Sequence, residues 1–166
     1  MFKALLLTQQ DKRTLATLRE FDHANLPADE VTVRFAYSSL NFKDTLAVTG
    51  RGAIVKRWPL VPGIDLAGTF ESSEHADWKA GDPVVADGSG PGETNWGGFA
   101  QKARLRAGWL LRLPAAFSPW QAMAVGTASY TAALCVMASR SRSAGSSTLR
   151  RTLFPQSSAS MKPSST

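Results

Sequence analysis

The chain has 166 residues, of which 43% are hydrophobic and 19% charged, and its formal net charge is +6 at pH 7. These values are ordinary for one soluble globular domain that is long enough to bury a core. No apolar run approaches the roughly 18 residues of a membrane span, and no apolar signal region follows Met1. We therefore expect a cytoplasmic protein without a membrane partner.

The positive charge is concentrated at the C-terminal end. Residues 1–138 contain 14 Lys or Arg and 13 Asp or Glu, whereas residues 139–166 contain five basic side chains and no acidic one. The high net charge therefore describes the tail and not the fold. Binding of nucleic acid through such a tail would be weak and unspecific, so no specific nucleic-acid partner is expected.

Cysteine and histidine are scarce. Cys135 is the single cysteine, which excludes an internal disulfide and fits a reducing compartment. Together with His23 and His75 it provides too few ligands for a structural zinc site of the cysteine type.

The first third of the chain predicts short strands and one helix. Residues 3–9 form an apolar strand, and residues 10–30 are polar and end in a turn at Pro27. Apolar residues alternate from Val31 to Tyr37, which is typical of a half-buried strand. Asn41 is the expected N-cap of a helix through Val48, with Gly50 as its stop.

The middle of the chain predicts further strands joined by turns. Residues 65–72 and 84–86 are expected strands, and alternation continues from residue 99 to Leu113. The glycine-rich stretch 88–98 between them is not a phosphate-binding loop. Pro91 and Glu93 interrupt its glycines, and a strand pattern follows it where such a loop needs a helix N-terminus.

The pattern changes near residue 118. Ser118, Pro119 and Gln121 form a capping box that begins a helix to Gly126, and a second, nearly all-apolar helix follows to Ala138. Residues 1–117 therefore predict a mainly β, barrel-like domain, and residues 118–138 two helices. Residues 139–166 include ten Ser and three Thr, and their few apolar side chains predict a disordered tail.

Polar groups at the ends of these elements form a candidate site. Asn41, Lys43 and Asp44 begin the short helix, and Asp65 is a lone carboxylate after a Pro-Gly turn. Such positions beside a packed sheet often bind ligands. The alternative interpretation, an N-cap, a surface lysine and a turn aspartate, is equally consistent with the residues alone.

Five segments together resemble one enzyme family over residues 1–138. They are residues 38–44 (SSLNFKD), 62–68 (PGIDLAG), 96–100 (WGGFA), 126–128 (GTA) and 134–138 (LCVMA). Their order and spacing resemble the acrylyl-CoA reductase and quinone oxidoreductase branch of the medium-chain dehydrogenase/reductase superfamily. The resemblance implies a GroES-like barrel, like the N-terminal domain of alcohol dehydrogenase, followed in full-length members by a Rossmann domain that holds NADPH. It also implies a zinc-free enzyme that reduces the C=C bond of a small enoyl thioester or a quinone.

The resemblance also implies roles for individual residues. Asn41, Asp44 and Asp65 match catalytic-site positions, and Phe42 and Thr127 match cofactor-side positions. The family has a tyrosine where this chain has Phe42, so an aromatic face is kept and a hydroxyl is lost. No residue is identified as the proton donor; water and the Asn41–Asp44 cluster are the candidates. A homodimer is left open for full-length relatives.

The sequence departs from the family after Ala138. No glycine fingerprint and no acidic ribose-binding residue follows, so we expect the Rossmann domain to be absent, through a shifted reading frame or a truncation. Three functions remain: the catalytic half of an NADPH-dependent reductase, inactive alone; a non-catalytic barrel that is a remnant or a binding module; or weak, unspecific binding of nucleic acid or an anionic surface through the basic tail. The true substrate is not determined by the residues.

Overall fold

The computed structural model describes residues 1–72 and 75–153, and side chains within residues 1–72 and 75–141. Seven strands and two helices form most of the described chain. In chain order they are β1 (Phe2–Gln10), β2 (Arg13–Phe21), β3 (Val31–Tyr37), α1 (Phe42–Thr49), β4 (Asp65–Ser72), β5 (Pro83–Asp87), β6 (Lys102–Leu105), β7 (Leu111–Arg112) and α2 (Pro119–Leu153). Short 3-10 helices lie at His23–Asn25 and Ala107–Trp109.

Strands β3 to β7 form a five-stranded sheet in the order β6-β3-β4-β5-β7, and its assigned pairs are antiparallel. Strands β1 and β2 form a separate antiparallel hairpin. Two paired hydrogen bonds between Leu7 and Leu60, of 2.7 and 3.0 Å, connect the hairpin to the rest of the chain. The mainly β, barrel-like architecture predicted from the sequence is confirmed.

The core lies between these two groups of strands because alternate residues of each strand face the same side. Several fully buried side chains of the sheet are β-branched or aromatic, which suits a pleated surface, and leucine and alanine fill much of the rest. The fully buried side chains include Val31, Val33, Leu66, Phe70 and Leu105.

The hairpin partner β2 was not predicted from the sequence, which indicated only a polar stretch there. Seven of its nine residues are exposed, so its composition lacks the apolar alternation by which half-buried strands are found. Its turn residues Asp11 and Lys12 both have positive φ, 49° and 63°, as a two-residue hairpin turn requires.

Helix α1 begins and ends where the sequence predicts. Asn41 is its N-cap, and Gly50 adopts the left-handed conformation at its C-terminus, with φ 67°. The capping box at the start of α2 is also present. Ser118 N donates to Gln121 Oε1 over 2.9 Å, and Gln121 N donates to Ser118 Oγ over 3.2 Å.

Helix α2 differs from the prediction in its extent. Gly126 has non-helical φ and ψ of 51° and −172°, which divides the helical segment at the predicted place. The backbone then remains helical to Leu153, although a disordered tail was predicted from residue 139. No proline interrupts residues 139–153, so local propensity permits a helix there. The rest of the predicted tail, residues 154–166, lies outside the described residues.

One helical stretch, Pro119–Ser141, has the length and composition of a membrane-spanning helix. Its mean hydropathy is 1.4 over 18 residues, of which 11% are buried. The expectation that no run reaches this length was therefore wrong. Length and composition also fit a helix of a soluble protein, so they assign no membrane location.

The described chain forms two compact units, Met1–Ser129 and a second that begins at Tyr130. The first contains all seven strands, helix α1 and the start of α2. The second is helical over its described residues, up to Leu153. The finer division at residues 117 and 138 stays a prediction.

Gly68 provides a test of how tightly the sheet is packed. It lies in the central strand β4, where a Cβ would press on the Arg34 carbonyl and come within 2.9 Å of the Phe35 Cα. We expect Gly68→Ala to lower the free energy of unfolding by about 1–3 kcal/mol, because backbone atoms must move. Urea unfolding measures the change.

The control is Gly108→Ala, since a Cβ on Gly108 meets no atom within 4 Å. That variant should stay within about 0.5 kcal/mol of the parent. Equal effects of the two substitutions would contradict the tight packing of β3 against β4.

Candidate functional site

A buried carboxylate, that of Asp65 at the start of β4, is the centre of the candidate site. The residue is 0% exposed. Its Oδ2 accepts hydrogen bonds from Ser39 Oγ at 2.6 Å and Asn41 Nδ2 at 2.9 Å. Thr127 donates twice, from its N to Oδ2 at 2.9 Å and from its Oγ1 to Oδ1 at 2.5 Å. We call Ser39, Asn41, Asp65 and Thr127 the Asp65 network.

Three segments far apart in sequence deliver this network. Ser39 and Asn41 follow β3, and Asn41 is the N-cap of α1, whereas Thr127 follows the break in α2. Gly126 makes the close approach possible. A Cβ on Gly126 would lie 2.8 Å from Asp65 Oδ2 and 3.0 Å from Ser39 Oγ, and its φ of 51° also favours glycine.

Asp44 is a second buried carboxylate and is 1% exposed. Its Oδ2 accepts from Asn41 N at 2.8 Å, and its Oδ1 accepts from Ile64 N at 3.1 Å. Burial raises the pKa of Asp44 above its usual value, although these hydrogen bonds oppose the change. Asp44 therefore joins the start of α1 to the residue that precedes Asp65.

The neighbouring side chains of α1 face outward. Phe42, which follows Asn41 in the sequence, is 79% exposed. Lys43 Nζ lies 2.6 Å from Glu93 Oε1, which ties α1 to the glycine-rich connection 88–98. The two partners are partly exposed, so this ion pair contributes little stability and mainly orients the loop.

Asp87 lies directly opposite Asp65 in the register of β4 and β5. Its Oδ1 is buried and has no hydrogen-bond partner among the described residues. Burial, and then the charge of Asp65, raise the pKa of Asp87 to about 6. The two neighbouring carboxylates therefore differ: both oxygens of Asp65 accept hydrogen bonds, whereas Oδ1 of Asp87 accepts none among the described residues.

The structure brings together three of the five predicted site residues, Asn41, Asp65 and Thr127, in direct contact. The carboxylate of Asp44 accepts a hydrogen bond from the backbone N–H of Asn41, and the exposed Phe42 lies outside the network. Sequence reasoning did not assign roles to Ser39, Gly126 or Asp87. The serine doublet at residues 38–39 was a usable signal for the first, but nothing local marks Asp87.

The family model of the alcohol dehydrogenase GroES-like domain matches residues 27–115, more than half of the chain. The chain belongs to this family. The matched region contains β3 to β7 and the Asn41, Asp44 and Asp65 positions, whereas Thr127 lies beyond it.

Curated relatives agree with the family that the motifs resemble. The chain is 48% identical over 136 residues to the probable acrylyl-CoA reductase AcuI of Escherichia coli K12, covering 82% of this chain and 42% of the relative. It is 46% identical over 140 residues to acrylyl-CoA reductase AcuI of Ruegeria pomeroyi, covering 83% and 42%. The resemblance stated from the motifs is confirmed, and the chain spans about two fifths of these relatives.

Solved structures show the same similarity. The yhdH oxidoreductase of Salmonella enterica in complex with NADP is 50% identical, with a TM-score of 0.79 over 82% of this chain and 42% of that one. Bacillus subtilis yhfP with NAD bound is 38% identical, with a TM-score of 0.78 over 82% and 41%. The fold of the barrel is therefore shared with nucleotide-bound oxidoreductases.

The first prediction for the site concerns the Asp65 carboxylate. Asp65→Asn should lower the free energy of unfolding by about 2–4 kcal/mol, because an amide NH₂ would face donors that a carboxylate satisfies. Urea unfolding measures it. The matched control is Asp77→Asn, whose side chain is 83% exposed and which should change stability by less than about 0.5 kcal/mol. Similar losses in both variants would contradict a stabilising Asp65 network.

The second prediction concerns Asp87 and pH. Its folded-state pKa of about 6 exceeds the ordinary 3.8, so the folded protein binds the extra proton between these values. The ionised carboxylate therefore costs stability above pH 6, and the cost disappears as pH falls towards 4. Asp87→Asn should stabilise the protein by about 1–2 kcal/mol at pH 7.5, because solvent screens part of the full effect.

Urea unfolding of parent and Asp87→Asn at pH 7.5, 6 and 4 measures this difference. It should shrink steadily on acidification. A difference that is constant across the three pH values would show that Asp87 titrates normally.

Proposed function

We propose that this chain forms the substrate-side barrel of an NADPH-dependent oxidoreductase. In this proposal the enzyme reduces the C=C bond of a small enoyl-CoA, with acrylyl-CoA the first candidate, or a quinone. The observation that carries it is the Asp65 network, which holds Asn41 and Thr127 in fixed positions in a chain 46–48% identical to acrylyl-CoA reductases. We also propose that the enzyme is cytoplasmic.

The residues at the network's edge suit the nicotinamide end of the cofactor. The exposed ring of Phe42 offers a flat apolar face, and the side chains of Asn41 and Thr127 are fixed nearby by Asp65. When bound, NADPH supplies the hydride. Holding the nicotinamide ring and the substrate alkene in fixed positions lowers the entropy cost of bringing the reacting atoms together.

The two buried carboxylates act as positioning groups in this proposal. Both oxygens of Asp65 and both of Asp44 already accept hydrogen bonds, and neither residue is exposed. A carboxylate so occupied cannot readily deliver a proton to a substrate. We therefore assign the proton that completes the reduction to water.

The cofactor's phosphates need a different partner. Residues 88–98 form a connection between strands, in which Gly92 N donates to Asn95 O at 2.9 Å, and the next element of the chain is strand β6. A phosphate site requires a glycine loop at a helix N-terminus. Tight binding of NADPH would then depend on a nucleotide-binding domain of the kind that the resemblance implies.

A non-catalytic barrel is the second candidate function. One observation favours it: the polar groups of the Asp65 network satisfy one another. The network could therefore serve only to hold the three segments together. A binding module or remnant would keep that tie without any turnover.

Fluorescence titration with NADPH separates these candidates. We expect the 166-residue chain to bind no tighter than the millimolar range and to show no turnover, since remote phosphate contacts supply most cofactor positioning. Joining the nucleotide-binding domain of the Escherichia coli relative after Ala138 should restore binding and reduction of acrylyl-CoA or a quinone. In that fusion Phe42→Tyr should tighten binding by roughly 2- to 13-fold, the value of one hydrogen bond.

The matched control is Phe117→Tyr, which makes the same chemical change at an exposed ring outside the Asp65 network. It should leave NADPH affinity unchanged. Micromolar binding by the 166-residue chain alone would contradict the need for a nucleotide domain. A folded fusion that binds NADPH but reduces neither substrate class would favour the non-catalytic barrel.

A further inference from the structure

A small cavity lies on the face of the sheet that carries Asp65 and Asp87. Its volume is about 140 Å³. Six of its seven lining residues are apolar and one is acidic: Val85, Leu113, Pro114, Phe117, Ala122, Val125 and Asp87. All lie within the first compact unit.

Strand alternation places the acid at this cavity. Val85 and Asp87 are two residues apart in β5 and share one face, while Val84 and Ala86 face the main core. On β4 the register sets Asp65 opposite Asp87 and Ala67 opposite Val85. Met123 and Ala122 of α2 pack on the same apolar group.

The acid is chemically incomplete. Asp87 Oδ1 is buried without a hydrogen-bond partner among the described residues, although buried polar atoms are normally satisfied. Asp87 as a whole is only partly buried and lines the cavity, so a ligand there approaches the accessible side of its carboxyl group. The nearby Asp65 carboxylate offers no relief, because it accepts hydrogen bonds and carries the same charge. The rest of the lining supplies neither a donor side chain nor a positive charge.

We propose that this cavity binds a small alkylammonium ion, with the ammonium group on the Asp87 carboxylate and a short alkyl chain on the apolar wall. An ammonium donates hydrogen bonds and carries the charge that two neighbouring carboxylates lack. An anion would be repelled by both. A cavity of this size holds a ligand about as large as benzene, which limits the alkyl chain to roughly four or five carbons.

The site does not depend on the proposed reductase activity. Its lining includes no residue of the Asp65 network, and the ligand class differs from both enoyl thioesters and quinones. Asp87 is nevertheless close to that network, since a Cβ on the adjacent Gly88 would lie 3.5 Å from Thr127 Oγ1.

The test is a methyl and amide NMR titration of the 166-residue chain at pH 7.5 with n-butylammonium. Two probes of similar size, n-butanol and n-butyrate, separate charge from apolar contact. We expect saturable shifts at Val85, Leu113 and Val125 with a millimolar Kd for n-butylammonium. Binding of n-butanol should be at least tenfold weaker, and n-butyrate should not bind.

Two variants make the test specific to Asp87. Asp87→Asn keeps the shape of the side chain and should weaken n-butylammonium binding at least tenfold, with a dispersed amide spectrum verifying its fold. Asp77→Asn removes an exposed carboxylate elsewhere and should leave binding unchanged. Equal affinities for n-butylammonium and n-butanol, unchanged binding by Asp87→Asn, or shifts that never saturate would each overturn the proposal.

A pH comparison adds an independent readout. At pH 5 the Asp87 carboxyl is mostly protonated, so n-butylammonium should bind several-fold more weakly than at pH 7.5. Asp65 on β4 is the charged group that acts on Asp87; the cavity walls from α2 and the segment before it are apolar. Affinity that does not change between these pH values would count against an ionised Asp87 as the anchor.

Discussion

The structure depends on how one buried charge, that of Asp65, is satisfied. Burying a carboxylate is unfavourable unless hydrogen bonds replace the water it loses. Here the donors come from the end of β3, the cap of α1 and the break in α2. The charge therefore fixes the relative positions of three segments that the hydrophobic core alone would hold less specifically. Asn41 and Thr127, the edge of the candidate site, are held in place as a result.

Much of this architecture follows from local signals in the sequence. The cap at Asn41, the stop at Gly50 and the capping box at Ser118 were predictable, because each depends on residues within one or two helical turns. Alternation identified β3 for the same reason. Strand β2 was not predicted, because a mostly exposed strand lacks the apolar alternation by which strands are identified.

The candidate site was only partly predictable. Asn41 and Asp65 were identified from their places at element ends as well as from the family resemblance. Thr127 was identified from the resemblance alone, and neither composition nor spacing shows that it would reach Asp65. Asp87 illustrates the limit most clearly. In the sequence it is an aspartate at a strand end, and only the pairing of β4 with β5 sets it beside a second carboxylate and an apolar cavity. Long-range register has no local signature.

The distances along the chain within the Asp65 network also bear on the order of folding. The β1–β2 hairpin closes over a two-residue turn, whereas Asp65 and Thr127 are 62 residues apart. Local contacts form sooner because they close shorter loops. We therefore expect the hairpin to form early and the Asp65 network late. During synthesis on the ribosome, Ser39 and Asn41 are available to Asp65 first, and water must occupy the place of the Thr127 donors until Thr127 has left the exit tunnel.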